Sequence, residues 1–415
     1  MSKVDVLRCR ECHRSYPPAA VHVCEFCFGP LEVQYDYAYI RARVSREAIA
    51  SGPRTLWRYA DLLPVEGGWD ETWPVGFTPL QKANNLGERL GLRNLYIKND
   101  TVNPTFSFKD RVVAVAVTKA QELGFRTFAC ASTGNLAGAV AAAGARHRMD
   151  TYVFLPADIE PGKVRGAAVY GANIVAVDGT YDELNRLCSE IADLYAWAFC
   201  NINVRPYYSE GSKTLAFEIV EQLGWRAPDH IIAPIASGSL YTKLGKGLRE
   251  LVEVGLLEQQ ATKIHGAQAT GCAPVAEAFA RGSTTYRAVR RPQTVAKSLA
   301  IGNPADGFYS LTQARATDSQ ILAVTDDEII RAMQLLASTE GVFAETAGGV
   351  TIAVLQKLAE HGVLGSDEVT VALVTGNGLK TQEAIDGHVA PGFSVRPTVE
   401  SFEQSLADRG ISITA

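Results

Sequence analysis

Long apolar runs are missing from this chain. Glycine, arginine or aspartate interrupts each hydrophobic stretch before it reaches the roughly 20 residues that span a bilayer, so no membrane partner is expected. The N-terminus, Met1-Ser2-Lys3-Val4-Asp5, lacks the apolar core of a signal peptide, and a cytoplasmic protein is expected. A surplus of positive charge is missing too: 40 Lys and Arg against 45 Asp and Glu leave a formal charge of -5. A nucleic-acid partner usually needs a basic face, so none is expected. No stretch matches G-x-x-x-x-G-K-[ST], which leaves a nucleotide-phosphate loop unsupported. The seven histidines all fall outside the chemistry-bearing motifs described below, so a Ser-His-Asp hydrolase has little support. No internal repeat of solenoid length occurs.

What is present is an ordinary globular composition, 47% hydrophobic and 20% charged, over 415 residues. That length exceeds one hydrophobic core, so two or more domains are expected. Four of the eight cysteines are clustered. Cys9-Arg10-Glu11-Cys12 and Cys24-Glu25-Phe26-Cys27 are paired C-x-x-C knuckles, and four thiolates from two tight turns give the tetrahedral geometry of structural zinc. The rival readings are two redox-active pairs or a metal-free remnant. His13 and His22 lie close by and are taken as bystanders. Cys130, Cys188, Cys200 and Cys272 sit among mostly apolar neighbours and read as small core residues. A disulfide framework is not expected.

Along the chain, Leu31 to Tyr39 alternates in part and predicts a strand, and Arg41 to Ala50 a short helix. Ser51 to Pro79 reads as an irregular connection with short elements hidden in it. From Asn94 onward strands and helices alternate. Strands are expected at Asn94 to Asn99, Thr127 to Ala131, Thr151 to Leu155, Asn173 to Val177, His230 to Ile235, Ile264 to Ala267 and Val369 to Val374. The helices between them include Leu136 to Arg148, Tyr181 to Tyr195, Leu240 to Val252 and Thr346 to His361. Such alternation implies parallel sheets with helices on both faces. Gly282 to Ser319 shows no clear period.

Four stretches carry candidate chemistry. Asn103-Pro104-Thr105-Phe106-Ser107-Phe108-Lys109-Asp110-Arg111 is a turn entering a mostly apolar helix that closes at Gly124. Burial there disfavours the charge of Lys109 and lowers its pKa, as an imine-forming lysine needs. A lysine snorkelling from an apolar surface would look the same locally. Ser132-Thr133-Gly134-Asn135 and Ala236-Ser237-Gly238-Ser239-Leu240 each join a strand to a helix. Their free N–H groups can hold a carboxylate and a phosphate, or serve as plain helix caps. Val374 to Lys380 is a glycine turn at a strand end. Asn203 to Thr214 reads as a loop running into a helix.

In this order the motifs resemble the tryptophan-synthase-β family of pyridoxal-phosphate (PLP) enzymes. N-P-T-x-S-F-K-D-R, T-G-x-G-L-K and E-G-x-K-T are most similar to its threonine synthase branch. The resemblance runs from about Thr78 to Lys380. It implies that Lys109 is in Schiff-base linkage with PLP. It places Ser132, Thr133, Gly134 and Asn135 at the substrate carboxylate, with Asn135 also at the ring hydroxyl. Ala236, Ser237, Gly238, Ser239 and Leu240 become the phosphate cup, and Thr375 meets the pyridine nitrogen. A neutral hydroxyl there suits elimination and replacement better than transamination. Archaeal-type threonine synthases carry a similar cysteine-bearing start.

Three positions depart from the pattern. Asn377 stands where histidine is common, serines replace glycines in the phosphate cup, and Tyr208 occupies a place where arginine helps hold the substrate phosphate. Arg205 and Lys213 are then the expected cations for that phosphate. The implied fold is α/β: two doubly wound parallel-sheet domains of PLP fold type II with a small N-terminal zinc ribbon. The expected division is 1–40 for the ribbon, 41–108 with 205–390 for the large PLP-binding domain, 109–204 for the small domain, and 391–415 for a tail. The implied reaction takes O-phospho-L-homoserine and water to L-threonine and phosphate, in a homodimer. The alternatives are a threonine/serine dehydratase or cysteate synthase of the same fold, or a non-catalytic zinc-ribbon protein that recruits a partner.

Overall fold

The computed structural model describes residues 2–132, 134–157, 161–179, 181–258, 261–389 and 392–411. The chain opens as an antiparallel ribbon in which β1 (Val4–Cys9) lies between β2 (Ser15–Tyr16) and β3 (Leu31–Tyr35). The last of these stops short of the expected Tyr39. Asp36 caps a short helix, Tyr37–Arg41, by accepting the Tyr39 N–H at 2.9 Å. The expected helix near 41–50 is Arg46–Ser51, started by the Ser45 side chain. Hidden in the long connection is a 3-10 helix, Leu56–Leu62.

Ten further strands follow among the described residues: β4 (Leu80–Lys82), β5 (Leu95–Asn99), β6 (Thr127–Ala131), β7 (Asp150–Pro156), β8 (Asn173–Val177), β9 (Trp197–Phe199), β10 (His230–Pro234), β11 (Lys263–Ala269), β12 (Ile321–Val324) and β13 (Thr370–Val374). They make two sheets. One has the order β12-β11-β10-β13-β5-β4 and is parallel except at its β4 edge; the other, β8-β7-β6-β9, is parallel throughout. Every residue of β10 and β13 is buried, as expected of parallel strands covered on both faces, which read as unbroken apolar runs. The architecture is α/β, with two largely parallel sheets and an antiparallel N-terminal ribbon.

The helix Lys109–Glu122 is buried from Asp110 through Ala120, and a helix that is apolar nearly all round belongs inside. Its buried Arg111 lies between Asp100, 2.6 Å from Nε, and Glu218, whose other oxygen is 2.6 Å from Lys98. Paired in this way the four charges are tolerated; removing one strands its neighbours. Thr325 opens the helix Asp326–Glu340 with a capping box, its side chain accepting the Glu328 N–H.

Two segments differ from expectation. Residues 205–210 form a helix, Arg205–Glu210, where a loop was expected. Pro206 falls in the first turn, where a missing N–H costs nothing. The stretch without a period holds a 3-10 turn, Lys297–Leu299, and a helix, Gly307–Ala316. No helix of the described residues is long and apolar enough to cross a membrane.

Candidate active site

Strand register places the motifs. Val374 lies opposite Asn99 and Ile232 opposite Ala372 in parallel pairs, so β5, β13 and β10 end on the same edge of the larger sheet. The segments leaving that edge are the Lys109 turn, the Thr375 loop and the 236–240 loop. In the smaller sheet Phe128 lies opposite Ala198, so the Ser132 loop leaves beside the segment after β9. Asn201 ties those two together: it accepts the Ala131 N–H at 3.3 Å and donates to the Ala131 carbonyl at 3.2 Å. Ligands of open α/β sheets bind outside such carboxyl ends.

The Lys109 turn is stitched to the Thr375 loop. Phe108 N–H donates to the Thr375 carbonyl at 2.9 Å, and Asn377 N–H to the Phe106 carbonyl at 3.0 Å. Phe106 itself has a positive φ of 61°, an uncommon conformation for a bulky side chain. Asp110 holds the inner side of the turn by accepting the Thr105 N–H and hydroxyl, both at 2.7 Å. Burial raises the Asp110 pKa to about 6, against those two hydrogen bonds. Lys109 Nζ donates to the Tyr208 hydroxyl at 3.0 Å. Burial lowers the Lys109 pKa to about 8, while Cys200 and Glu345 pull the other way. The amine is therefore partly neutral near physiological pH.

Glu345 is a site residue that the motifs did not reveal. It is buried just before the helix Thr346–Glu360, and its N–H donates to the Gly376 carbonyl at 2.9 Å. Asn135 Nδ2 donates to its carboxylate at 2.8 Å, and the Thr375 side chain is a further hydrogen-bond partner. Burial raises its pKa, opposed by Asn135, Lys380 and Lys109. A Cβ at 376 would lie 2.4 Å from the Glu345 carboxyl group, so any larger residue there must push that carboxylate aside. The signal in the sequence was a lone acid in Val342-Phe343-Ala344-Glu345-Thr346-Ala347.

The 236–240 loop enters the helix Ser239–Glu253 through Gly238, with φ 92°. A Cβ there would lie 2.7 Å from Ser310 Oγ and 2.8 Å from the Asp306 carbonyl. Asp306 N–H donates to the Ser237 carbonyl at 2.8 Å, which pins the loop. The N–H groups of Ser237 and Gly238 meet no acceptor among the described residues. Ala236 and Ser239 are half-buried and Leu240 is buried. This helix start is suited to a phosphate.

The remaining expected residues divide. Ser132 accepts the Gly134 N–H on its hydroxyl at 3.3 Å, and Asn135 begins the helix Asn135–Arg146. Thr133 lies outside the described residues. Arg205 pairs with Asp306 at 3.0 Å beside Ser239, in a small cavity that also receives Arg10 from the ribbon. Lys213 is not brought to the cleft. It is fully buried, with Nζ 2.6 Å from Glu250, 2.7 Å from Glu210 and 3.0 Å from the Leu62 carbonyl. Those acceptors use all the donors an ammonium has.

In the ribbon, the sulfurs of Cys9, Cys12, Cys24 and Cys27 lie within 4.8 Å of one another, with Cys9–Cys27 and Cys12–Cys24 at 3.5 Å. A tetrahedron with metal–sulfur arms of about 2.3 Å has edges of about 3.8 Å, so the four thiols suit one zinc ion. Neither His13 nor His22 joins the cluster.

The family model described as "Pyridoxal-phosphate dependent enzyme" matches residues 72–376. Among curated proteins, the chain is 38% identical to the threonine synthase of Methanocaldococcus jannaschii over 383 residues, 91% of this chain and 93% of that one. It is 37% identical to the threonine synthase of Methanosarcina acetivorans over 381 residues, again 91% and 93%. Among solved structures, a fungal L-serine ammonia-lyase from Rhizomucor miehei aligns with a TM-score of 0.64 at 19% identity, covering 75% of this chain and 96% of that one.

Proposed function

The chain belongs to the pyridoxal-phosphate dependent enzymes, and we propose that within that family it converts O-phospho-L-homoserine and water to L-threonine and phosphate, as threonine synthases do. The observation that carries the proposal is Lys109: an amine with its pKa lowered to about 8, at the start of a buried helix, facing loops from both sheets. The residues present fit PLP. There is an amine for its aldehyde, and a helix start at Gly238 with unpaired N–H groups for its phosphate. Ser237, Ser239 and Leu240 complete that cup, with Ala236 at its base. Asn135 and Thr375 are the proposed partners of the ring hydroxyl and ring nitrogen.

Bound PLP supplies the electron sink for the pair left when a proton leaves Cα. The chain's own groups do the rest. The loop Ser132, Thr133, Gly134 and Asn135 is the proposed holder of the substrate carboxylate, at the start of the helix Asn135–Arg146. Lys109 Nζ, partly neutral at working pH, takes the proton at Cα and moves protons at Cα and Cβ. Arg205 is the proposed cation at the substrate phosphate, which leaves from Cγ while water adds at Cβ. In the ribbon, zinc held by Cys9, Cys12, Cys24 and Cys27 is proposed as structural, because four thiolates leave no open position. The domain division 1–40, 41–108 with 205–390, 109–204 and a 391–415 tail belongs to the same proposal; the strands of the smaller sheet all fall between 127 and 199.

The test follows phosphate and threonine together from O-phospho-L-homoserine. Equal amounts of both support the reading. Phosphate without threonine, or turnover of threonine but not of phosphohomoserine, overturns it. Lys109→Ala must abolish both the visible absorbance of bound PLP and turnover.

A further inference from the structure

The cleft contains a second group able to act on the lysine. Tyr208 is buried, and its hydroxyl accepts from Lys109 Nζ at 3.0 Å. Little freedom is left to that ring, because its short helix, Arg205–Glu210, is anchored on both sides of it. Tyr207 donates its hydroxyl to the Ala19 carbonyl at 2.9 Å. The Glu210 carboxylate is surrounded by Lys213 at 2.7 Å, Lys243 at 2.6 Å, Lys246 at 2.9 Å and the Tyr35 hydroxyl at 2.8 Å. Ala19 and Tyr35 belong to the N-terminal ribbon, so the ribbon and the core together hold Tyr208 in place. Nothing in the local sequence of Tyr207-Tyr208-Ser209-Glu210 distinguishes the two tyrosines. The fold does, by turning one toward the ribbon and the other toward the lysine.

We propose that Tyr208 is a positioning residue for the Lys109 amine, fixing Nζ in the cleft and favouring the ammonium that Lys109 becomes each time it takes a proton. The inference rests on reading Lys109 as the reacting amine. A phenol oxygen accepts from the amine in either protonation state, but the hydrogen bond is stronger when the donor is charged. Two ionisable groups otherwise act on Lys109. Cys200, beyond β9, is fully buried, and that burial raises its pKa well above the usual value against the pull of Lys109. Glu345 lies at the start of the helix Thr346–Glu360 and is itself faced by Lys380. Among the described residues, Tyr208 is the hydrogen-bond partner of Nζ.

The test is Tyr208→Phe, which keeps the ring and removes one oxygen. PLP-free protein takes up the cofactor through the neutral amine, so the pH dependence of the uptake rate reads Lys109 without turnover. Losing an acceptor that favours the ammonium should move the midpoint down by about one pH unit. In turnover, kcat should fall about 10- to 100-fold with KM little changed, the loss expected for a hydrogen bond to a charged group. The thermal midpoint and the absorbance of bound PLP should be retained. An unmoved uptake midpoint and an unchanged kcat overturn the inference. Should the variant not fold, 3-fluorotyrosine at 208, a weaker acceptor of the same shape, must move the midpoint the same way, and no movement overturns the proposal. Failure of the underlying reading shows separately, as a Lys109→Ala protein that still gains the absorbance of bound PLP.

Discussion

Asn135 and Glu345 meet across the cleft, the amide donating to the carboxylate at 2.8 Å. One residue leaves the smaller sheet after β6, and the other begins the helix Thr346–Glu360 on the larger. A single buried carboxylate thus joins the two halves beside Lys109. Its charge is one of the two influences that oppose the desolvation of that lysine.

Glu345→Gln keeps the shape and an acceptor for Asn135 while removing the charge. The Lys109 pKa should then fall below about 8, because desolvation acts with less opposition. The pH midpoint of PLP uptake reports this, and a midpoint that stays or rises refutes the coupling. Glu345→Leu leaves the Asn135 amide unpaired and should cost about 1–3 kcal/mol of stability in denaturant unfolding.

The ribbon makes a separate prediction. Freshly purified protein should carry about one zinc per chain by elemental analysis. Cys24→Ser should lower metal content and the thermal midpoint, while the fraction that remains folded keeps the absorbance of bound PLP. Stoichiometric metal in the variant, or none in the native protein, would refute the assignment.

Much of this arrangement could be read from the chain, for identifiable reasons. Buried parallel strands such as β10 and β13 are apolar at nearly every position, so they stand out as runs. The loops at 132–135, 236–240 and 375–380 follow strands, which is where such folds bind ligands. The three-residue strands β4 and β9 are too short to show a period. The helix Arg205–Glu210 was hidden by its proline, which biases the preceding residue toward extended backbone. Glu210 and Lys213 read as a site motif, but their partners are Tyr35, Lys243, Lys246 and Glu250, far away in sequence. Long-range pairing decides whether a charge is structural or available, and local pattern carries no record of it.

A histidine pair at the opposite edge of the larger sheet predicts a pH dependence of stability. Gln320 N–H donates to His265 Nδ1 at 3.0 Å, so His265 Nε2 carries the proton and donates to His230 Nδ1 at 2.9 Å. His230 Nε2 then donates to Glu368 at 2.8 Å. Burial, then His230 and Lys263, lower the His265 pKa to about 3 from the usual 6.5. Below pH 6.5 the unfolded chain takes a proton that the folded one refuses until about pH 3. The stabilisation is therefore complete above pH 6.5 and lost as pH falls, by about 2 kcal/mol at pH 5. Denaturant midpoints at pH 7.5 and 5.0 measure it, and His265→Gln should flatten the slope. An equal slope in the variant removes His265 as the cause.

Arg205 makes the most exposed prediction, because the structure shows it already paired. Its guanidinium and that of Arg10 each lie 3.0 Å from one oxygen of Asp306. Two guanidinium groups on one carboxylate leave a positive surplus, in a cavity that also reaches Ser239 and Lys243. The cavity, about 20 Å³, has room for roughly one water as it stands, so Arg205 must swing clear of Asp306 to offer its planar donor fork to a phosphate dianion. Lys213 cannot share the task, since its three donors are occupied. Arg205→Ala should therefore cost roughly 2–4 kcal/mol in kcat/KM for O-phospho-L-homoserine. Inorganic phosphate should inhibit the variant less than the parent. The absorbance of bound PLP should persist, because the cofactor phosphate is assigned to Ser237, Gly238 and Ser239. If kcat/KM and phosphate inhibition both stay unchanged, Arg205 serves only to hold Asp306 against the ribbon, and the substrate phosphate must be met by another group of the cleft.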